Sequence, residues 1–212
     1  KEEVDEIVTA NNKETKETLA NFENVIGNDS AQGKALKTAH ERFKALDENS
    51  DLKKRYNKFV EDNAEILNIK RESEPDADFF KFKQFLAEEH HSKALGKLHE
   101  AGVKYCVDVP LNFDDDEVKA FPKAFKQDHY MGAPGWKMPA LDMDTILDTN
   151  SDANKLLKMK IQYAAKHGDM LRIDAAWNYA TPVVTHKDET KILDQNRKAL
   201  QDGLLKQIEG WV

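Results

Sequence analysis

The sequence predicts an α/β protein: a partial (β/α) TIM-barrel segment with a large helical N-terminal portion. Two short β-rich runs, at residues 103–109 and 170–174, each follow a long segment of helical spacing that closes at a glycine. Because a helix joins the two strands, they should be parallel neighbours. Asp108 and Asp174 stand at or beside the carboxyl ends of these strands. Catalytic groups of a barrel occupy that end, so both aspartates should face one cleft.

Composition limits the classes of partner and compartment. The 212 residues are 40% hydrophobic and 33% charged, with a net charge of −7, which supports a core but gives no general attraction to nucleic acid or anionic lipid. No apolar run approaches the roughly 20 residues that span a bilayer, and the acidic start is unlike a signal peptide. We therefore expect a cytoplasmic protein without membrane or nucleic-acid partners. The single cysteine, Cys106, lies in an apolar run and should be a buried structural thiol.

Four segments are predicted along the chain. Residues 1–30 form a helical arm that ends near a Gly-Asn-Asp-Ser turn, and residues 31–100 form a helical subdomain. Residues 101–187 contain the two βα units, and residues 188–212 form a C-terminal helix. Within the third segment, residues 112–152 lack a sustained period and should be a long ordered loop, a length that is usually functional.

The run Leu171-Arg172-Ile173-Asp174-Ala175-Ala176 resembles the fourth-strand signature of the α-amylase clan, in which an arginine two positions before an aspartate orients a carboxylate nucleophile. Upstream, Asp108-Val109-Pro110-Leu111 is similar to the third-strand motif of the amylomaltase branch of that clan. The resemblance covers about residues 34–185. Its other parts, similar to amylomaltase helices and to the family's glucan-binding loop, are residues 56–67, residues 82–89, residues 132–134, and Trp136 with Pro139.

The resemblance to amylomaltase-type 4-α-glucanotransferases implies transfer of α-1,4-glucan segments from maltodextrins, without a metal or cofactor. In that chemistry a carboxylate attacks the anomeric carbon, and a second carboxyl group roughly 5 Å away protonates the leaving oxygen. Asp174 is implied as the nucleophile, and Arg172 would hold it ionised and aimed. The implied glucan contacts are Asp108, Asn112, Tyr130, Trp136 and Trp177.

The chain also departs from the family pattern. Phe113 replaces a histidine expected after Asn112, and Ala175-Ala176-Trp177-Asn178 replaces His-Phe-Arg-Gly. No segment matches the later strands that carry the glutamate acid/base and a third aspartate. We therefore expect the isolated chain to be inactive and to need either a missing portion of the same protein or a homo-oligomer.

Several alternatives stay open at the level of sequence. Arg172 and Asp174 also fit an ordinary ion pair at a strand end, and Asp108 fits a turn residue that caps the chain before a proline. Tyr130 and Trp136 also fit aromatic anchors of a long loop. For the whole chain, the alternative is a non-catalytic helical binding or interaction module that retains a barrel segment.

The remaining polar clusters favour structural roles. His90 and His91, beside two glutamates, lack the three- or four-residue spacing of a helical metal site and should lie on a solvated helix surface. Residues 114–117 lack the alternating ligands of a calcium loop and should begin a helix, whose N-terminus favours negative charge. His129, His167 and His186 have no partner at a spacing typical of nucleophilic catalysis.

Overall fold

A computed structural model describes residues 30–69, 74–110, 112–132, 135–176, 183–187, 192–194 and 198–212. Within these ranges the chain is a mixture of helix and sheet, as predicted, and none of its helices has both the length and the apolar character needed to cross a membrane. The helical arm predicted over residues 1–30 lies outside the described residues except for Ser30. In chain order the described elements are α1 (Ala31–Lys44), α2 (Asp51–Asp62), α3 (Ala64–Leu67), α4 (Ala77–Glu100), β1 (Cys106–Val109), α5 (Asp115–Ala120), a 3-10 turn (Pro122–Ala124), β2 (Phe125–Met131), β3 (Met138–Leu141), α6 (Asp152–Ala165), β4 (Met170–Ile173), β5 (Val183–His186), β6 (Ile192–Asp194) and α7 (Lys198–Glu209).

The chain divides into two compact units, and the boundary differs from the predicted segments because α4 contributes to both. Lys1–Ala64 with Asp76–Ala87 forms one unit, and Glu65–Pro75 with Glu88–Val212 forms the other. The first unit is helical in its described part. Serine side chains cap its first two helices: the Gly33 amide donates to Oγ of Ser30 at 3.0 Å.

Aromatic packing holds the first unit together. Phe43 of α1 lies between Tyr56 of α2 and Phe82 of α4, with ring centroids 4.9 and 5.0 Å away. Phe85 of α4 meets Tyr56 edge-on at 5.5 Å. Offset and edge-on ring contacts at these distances are favourable beyond their burial. The helical spacing of apolar residues in this region therefore predicted its structure.

In the second unit, β1 and β4 are parallel neighbours, as predicted. The register pairs Cys106 with Met170 and Asp108 with Arg172. Helix α6 covers one face of the pair, where Val109 is buried, while the other face is exposed. Because side chains alternate along a strand, Cys106 falls on the exposed face with Asp108. The prediction of a buried thiol was therefore wrong.

The segment 112–152, predicted as one long loop, instead contains α5, the 3-10 turn, β2 and β3. Strands β2 and β3 belong to a four-stranded antiparallel sheet of order β3-β2-β5-β6. A register shift between Lys126 and Tyr130 interrupts the pairing of β2 with β3, and the intervening side chains are polar. A bulge of this kind breaks the two-residue period, which explains why the strand gives no alternating pattern in the sequence.

The C-terminal helix is shorter than predicted, since β6 precedes it and α7 spans Lys198–Glu209. Leu204 and Ile208 of α7 are buried in the main core of the unit. A buried amide secures this contact: Nδ2 of Asn154 donates to the Ile146 carbonyl and to Oε1 of Gln207, both at 2.6 Å. The helix therefore packs on α6 and on the turn before it.

The cover over the parallel strands depends on the buried face of α6. Ile161 has no exposed surface, so Ile161→Ala should leave a cavity and lower the free energy of unfolding by about 2–5 kcal/mol. Lys158→Ala, on the exposed side of the same helix, should change it by less than about 0.5 kcal/mol. Denaturant titration of the two variants checks this prediction. Equal losses would mean that α6 does not seal the core.

Candidate functional site

The carboxyl ends of β1 and β4 are fastened together by the backbone. The amide of Asp174, the first residue after β4, donates to the carbonyl of Val109, the last residue of β1, at 2.9 Å. The register places Asp108 beside Arg172 on the exposed face of the same two strands. Three of the predicted site residues are therefore neighbours at one end of the sheet, as the parallel arrangement required.

One guanidinium joins the two aspartates. Nη1 of Arg172 donates to Oδ1 of Asp108, and Nη2 donates to Oδ1 of Asp174, both at 2.6 Å. The hydrogen bond and charge of Asp108, followed by the charge of Asp174, raise the pKa of Arg172 above its ordinary value. In the described part of the chain, the Asp108 side chain thus engages the Arg172 guanidinium.

The side chains of Arg172 and its two aspartates are partly exposed in the described structure. The side chains of Arg172, Asp108 and Asp174 are 60%, 55% and 47% exposed. Ion pairs open to water contribute little to stability, because solvent already satisfies both charges. In the described residues the three charged groups are therefore accessible at the strand ends.

Backbone strain occurs beside two predicted site residues. In the described ranges, the non-glycine residues with positive φ are Ala175, at 46°, and Lys137, at 51°. The first follows Asp174 and the second follows Trp136. Left-handed backbone is costly for residues with a Cβ and collects at functional positions, where the surrounding structure holds it in place. Both positive-φ residues therefore stand next to residues that the sequence singled out.

Trp136 forms an exposed aromatic surface at the end of the β2–β3 hairpin. Its side chain is 55% exposed, and the indole lies beside the backbone of Gly132. A Cβ added to Gly132 would clash with Cε of Met138 and stand 3.0 Å from Cε3 of Trp136, and φ of this glycine is +105°. Only glycine allows both the turn and the close approach of the ring. The hairpin thus presents a supported indole with its remaining surface open.

Tyr130 is less available than predicted for stacking. It is half-buried in β2, opposite Pro139 and Thr185 of the neighbouring strands. The ammonium of Lys187 lies 5.0 Å from its ring centroid, a cation–π arrangement that occupies one face of the ring. A sugar ring therefore has at most the opposite face of Tyr130.

Asn112 lies just beyond β1, and its exposed side chain is used partly by its own backbone. Oδ1 of Asn112 accepts from the Phe113 amide at 2.9 Å, and its backbone carbonyl accepts from Nζ of Lys160 at 2.6 Å. Phe113, where the family has a histidine, is buried against Phe125. The side-chain amide nitrogen is the donor that Asn112 can turn toward a ligand. Trp177, the remaining predicted contact, lies outside the described residues.

The structure also joins histidines that the sequence left separate. His129 and His186 are opposite one another on β2 and β5, with ring centroids 5.0 Å apart. Nδ1 of His129 lies 2.7 Å from Asp128, and this hydrogen bond lowers the pKa of Asp128. The spacing in sequence carried no signal of this cluster, because it depends on the pairing of two distant strands.

His91 and His167 form a second contact. Nε2 of His91 lies 2.7 Å from the carbonyl of His167, and Nε2 of His167 lies 2.5 Å from Oε2 of Glu88. His91 was predicted to lie on a solvated helix surface. It instead takes part in the packing of α4 on the turn before β4. No group of three or more His, Cys, Asp or Glu side chains in the described ranges has the arrangement of a metal site.

The acidic run before β2 behaves as predicted. Asp114 caps α5, its side chain accepting from the Glu117 amide at 2.7 Å while the Glu117 carboxylate accepts from the Asp114 amide at 2.8 Å. This reciprocal capping box begins a helix whose first turn is acidic. The segment is thus a helix start.

Structural contacts concentrate at the amino ends of the strands. Gly168 packs so closely on the strand before it that a Cβ would stand 3.0 Å from the Tyr105 carbonyl. Asp169 accepts from the Tyr105 amide at 2.9 Å and lies 2.9 Å from Nε2 of His99. The bond from Tyr105, and then that from His99, lowers the pKa of Asp169.

Asp169→Asn should destabilise the protein in a pH-dependent way. A carboxyl group with a lowered pKa in the folded state stabilises it above the unfolded pKa, and that stability is lost as the pH falls through the folded pKa. The wild type should therefore unfold at higher temperature than Asp169→Asn at pH 7. The gap should close as the pH falls below the ordinary value of 3.8. Thermal unfolding from pH 7 to pH 2.5 measures it.

The matched control is Asp202→Asn, an exposed position on α7, which should track the wild type at every pH. A gap for Asp169→Asn that stayed constant with pH would show that the Asp169 charge is not the stabilising feature.

Neither the models of protein families nor the curated proteins contain a match to this chain. The case for a function therefore depends on the geometry around Asp108, Arg172 and Asp174.

Proposed function

We propose that this chain is part of the catalytic barrel of a 4-α-glucanotransferase that transfers α-1,4-glucan segments by a retaining mechanism. The observation that carries the proposal is the Arg172 guanidinium, which donates to Asp174 and Asp108 at the carboxyl ends of adjacent parallel strands. The resemblance of residues 171–176 to the clan's nucleophile strand supports the same assignment.

The arrangement of the strands supports a barrel segment. Helix α6 covers the face of β1 and β4 that carries Val109, as an outer helix covers a barrel strand. The opposite face carries Asp108 and Arg172 and would be the barrel interior. It also exposes Met170, which is half accessible, a surface that further strands would bury.

The proposed reaction begins with Asp174. Arg172 engages Oδ1, and we assign the attack on the anomeric carbon to Oδ2. The bond from that carbon to the leaving sugar oxygen breaks as the bond to Oδ2 forms, and a second carboxyl group protonates the leaving oxygen. In the second step the oxygen of an acceptor glucan hydroxyl bonds to the anomeric carbon as the bond to Oδ2 of Asp174 breaks. The second carboxyl group, left as a carboxylate by the first step, takes the hydroxyl proton, so the protein ends unchanged. Asp108 holds Arg172 in place for both steps.

The second carboxyl group is expected from the clan resemblance on a further strand of the barrel. We place that strand in another portion of the same protein or in a partner copy. Trp136 supplies an apolar surface for a glucose ring, since the open side of its indole fits the apolar face of a sugar.

Trapping the covalent intermediate tests the proposal directly. A maltosyl fluoride with a second fluorine on the ring needs no proton donor for departure of fluoride, so it reports the nucleophile without the acid. The longest form of the protein that its gene encodes should gain one maltosyl mass, and peptide mapping should place it on Asp174. Asp174→Asn should remove the label.

Asp202→Asn is the control and should be labelled like the wild type, because Asp202 is exposed on α7 away from the strand ends. A folded protein that gained no label, or gained it at another residue, would contradict the proposal and favour the non-catalytic binding module.

Removing the indole should weaken glucan binding. Trp136→Ala should lose about 1 kcal/mol of stacking, roughly a fivefold rise in the dissociation constant for maltoheptaose measured by calorimetry. Gly132→Ala, whose Cβ would crowd both Met138 and the Trp136 ring at a backbone angle that favours glycine, should also weaken binding, because it disturbs the turn that carries the indole. Leu205→Ala, which removes another exposed apolar side chain, should leave binding unchanged. Unaltered affinity in Trp136→Ala would remove this residue from the site.

A further inference from the structure

We propose that Lys160 is a positioning residue, which sets glucan affinity by holding the chain that carries Asn112 against the strand ends. This inference rests on the proposed function, because it concerns the same site. Lys160 belongs to α6, the helix that connects the two halves of the parallel pair, and the sequence pattern gave it no role.

Among the described residues, a carbonyl, a carboxylate and an aromatic ring lie close to the ammonium of Lys160. Nζ donates to the Asn112 carbonyl at 2.6 Å and lies 3.6 Å from Oε2 of Glu117. It also lies 4.4 Å from the centroid of the Phe113 ring. A carbonyl oxygen, a carboxylate and an aromatic face all attract a cation, and the side chains of Lys160 and Glu117 are largely buried. The ammonium thus holds Asn112, Phe113 and Glu117, all in one segment, against α6.

This segment begins at the end of β1, beside the proposed nucleophile. Val109 accepts from the Asp174 amide, and Asn112 follows Val109 by three positions. At the extended length of a residue, Asn112 is within about 11 Å of that bond. Beyond it, Phe113 is buried and Glu117 completes the capping box of α5. Lys160 therefore contacts the chain between the end of β1 and the start of α5, both of which are held by other contacts.

The contact also explains the orientation of Asn112. Its Oδ1 accepts from its neighbour's amide, so the direction of its side-chain nitrogen follows from the backbone at residues 112 and 113. The Lys160 bond to the Asn112 carbonyl fixes that backbone. Loss of the bond should therefore misdirect the donor offered to a glucan while leaving Asp174 and Arg172 in place.

The test uses Lys160→Met, which keeps the apolar stem and removes the ammonium, with Lys160→Arg as the conservative variant. Lys158→Met is the matched control on the exposed side of the same helix. Labelling by the maltosyl fluoride is followed against reagent concentration. Lys160→Met should raise the half-saturating concentration about five- to tenfold, the effect of one hydrogen bond, with the maximal rate unchanged. Lys160→Arg should restore most of the affinity, and Lys158→Met should match the wild type.

Hydrogen exchange of the backbone amides provides a readout that needs no sugar. Lys160→Met should speed exchange at residues 113–118 about three- to tenfold, while exchange in β4 stays as in the wild type. Absence of faster exchange, or an equal effect of Lys158→Met, would overturn the inference whether or not the protein is labelled. If exchange is faster but the protein is never labelled, Lys160 does hold this segment in place. That result would refute its role in glucan affinity and would count against the proposed function.

Discussion

The packing of α6 on one face of the β1–β4 pair is the constraint on which the rest of the second unit depends. A strand covered on one side must send alternate side chains toward the cover, and Val109 accordingly enters the core. The same alternation sends Asp108 and Arg172 to the uncovered face, where the parallel register makes them neighbours. Their charged cluster is therefore a consequence of which side the helix occupies.

Much of this arrangement could be predicted from local signals. Helical spacing located α1, α2, α4 and α6, and a β-rich run after a glycine located each parallel strand. Because parallel neighbours bring their carboxyl ends to one edge, the strand order also predicted that Asp108 and Asp174 lie near each other. The predictions that were wrong concern features that depend on residues far apart in the sequence. The alternation that exposes Cys106 depends on which face α6 covers, and neither signal contains that information.

The antiparallel sheet was missed for a related reason. The polar residues of β2 and the register shift before Tyr130 hide its strand character, which emerges only when β5 pairs with it. The cluster of His129, His186 and Asp128 arises from that pairing, so no sequence motif predicts it. The role proposed for Lys160 could not be predicted from the sequence either, because it depends on which segment of the chain packs against α6.

The same sheet has an evolutionary consequence. Strands β2 and β3 follow β1, whereas β5 and β6 follow β4, so the segments that leave two neighbouring strands are woven into one structure. Segments that connect strands commonly vary independently of one another. Here the exchange of one segment alone would break the pairing of His129 with His186 and of Tyr130 with Thr185. The two segments must be inherited, or transplanted by an engineer, as a single cassette.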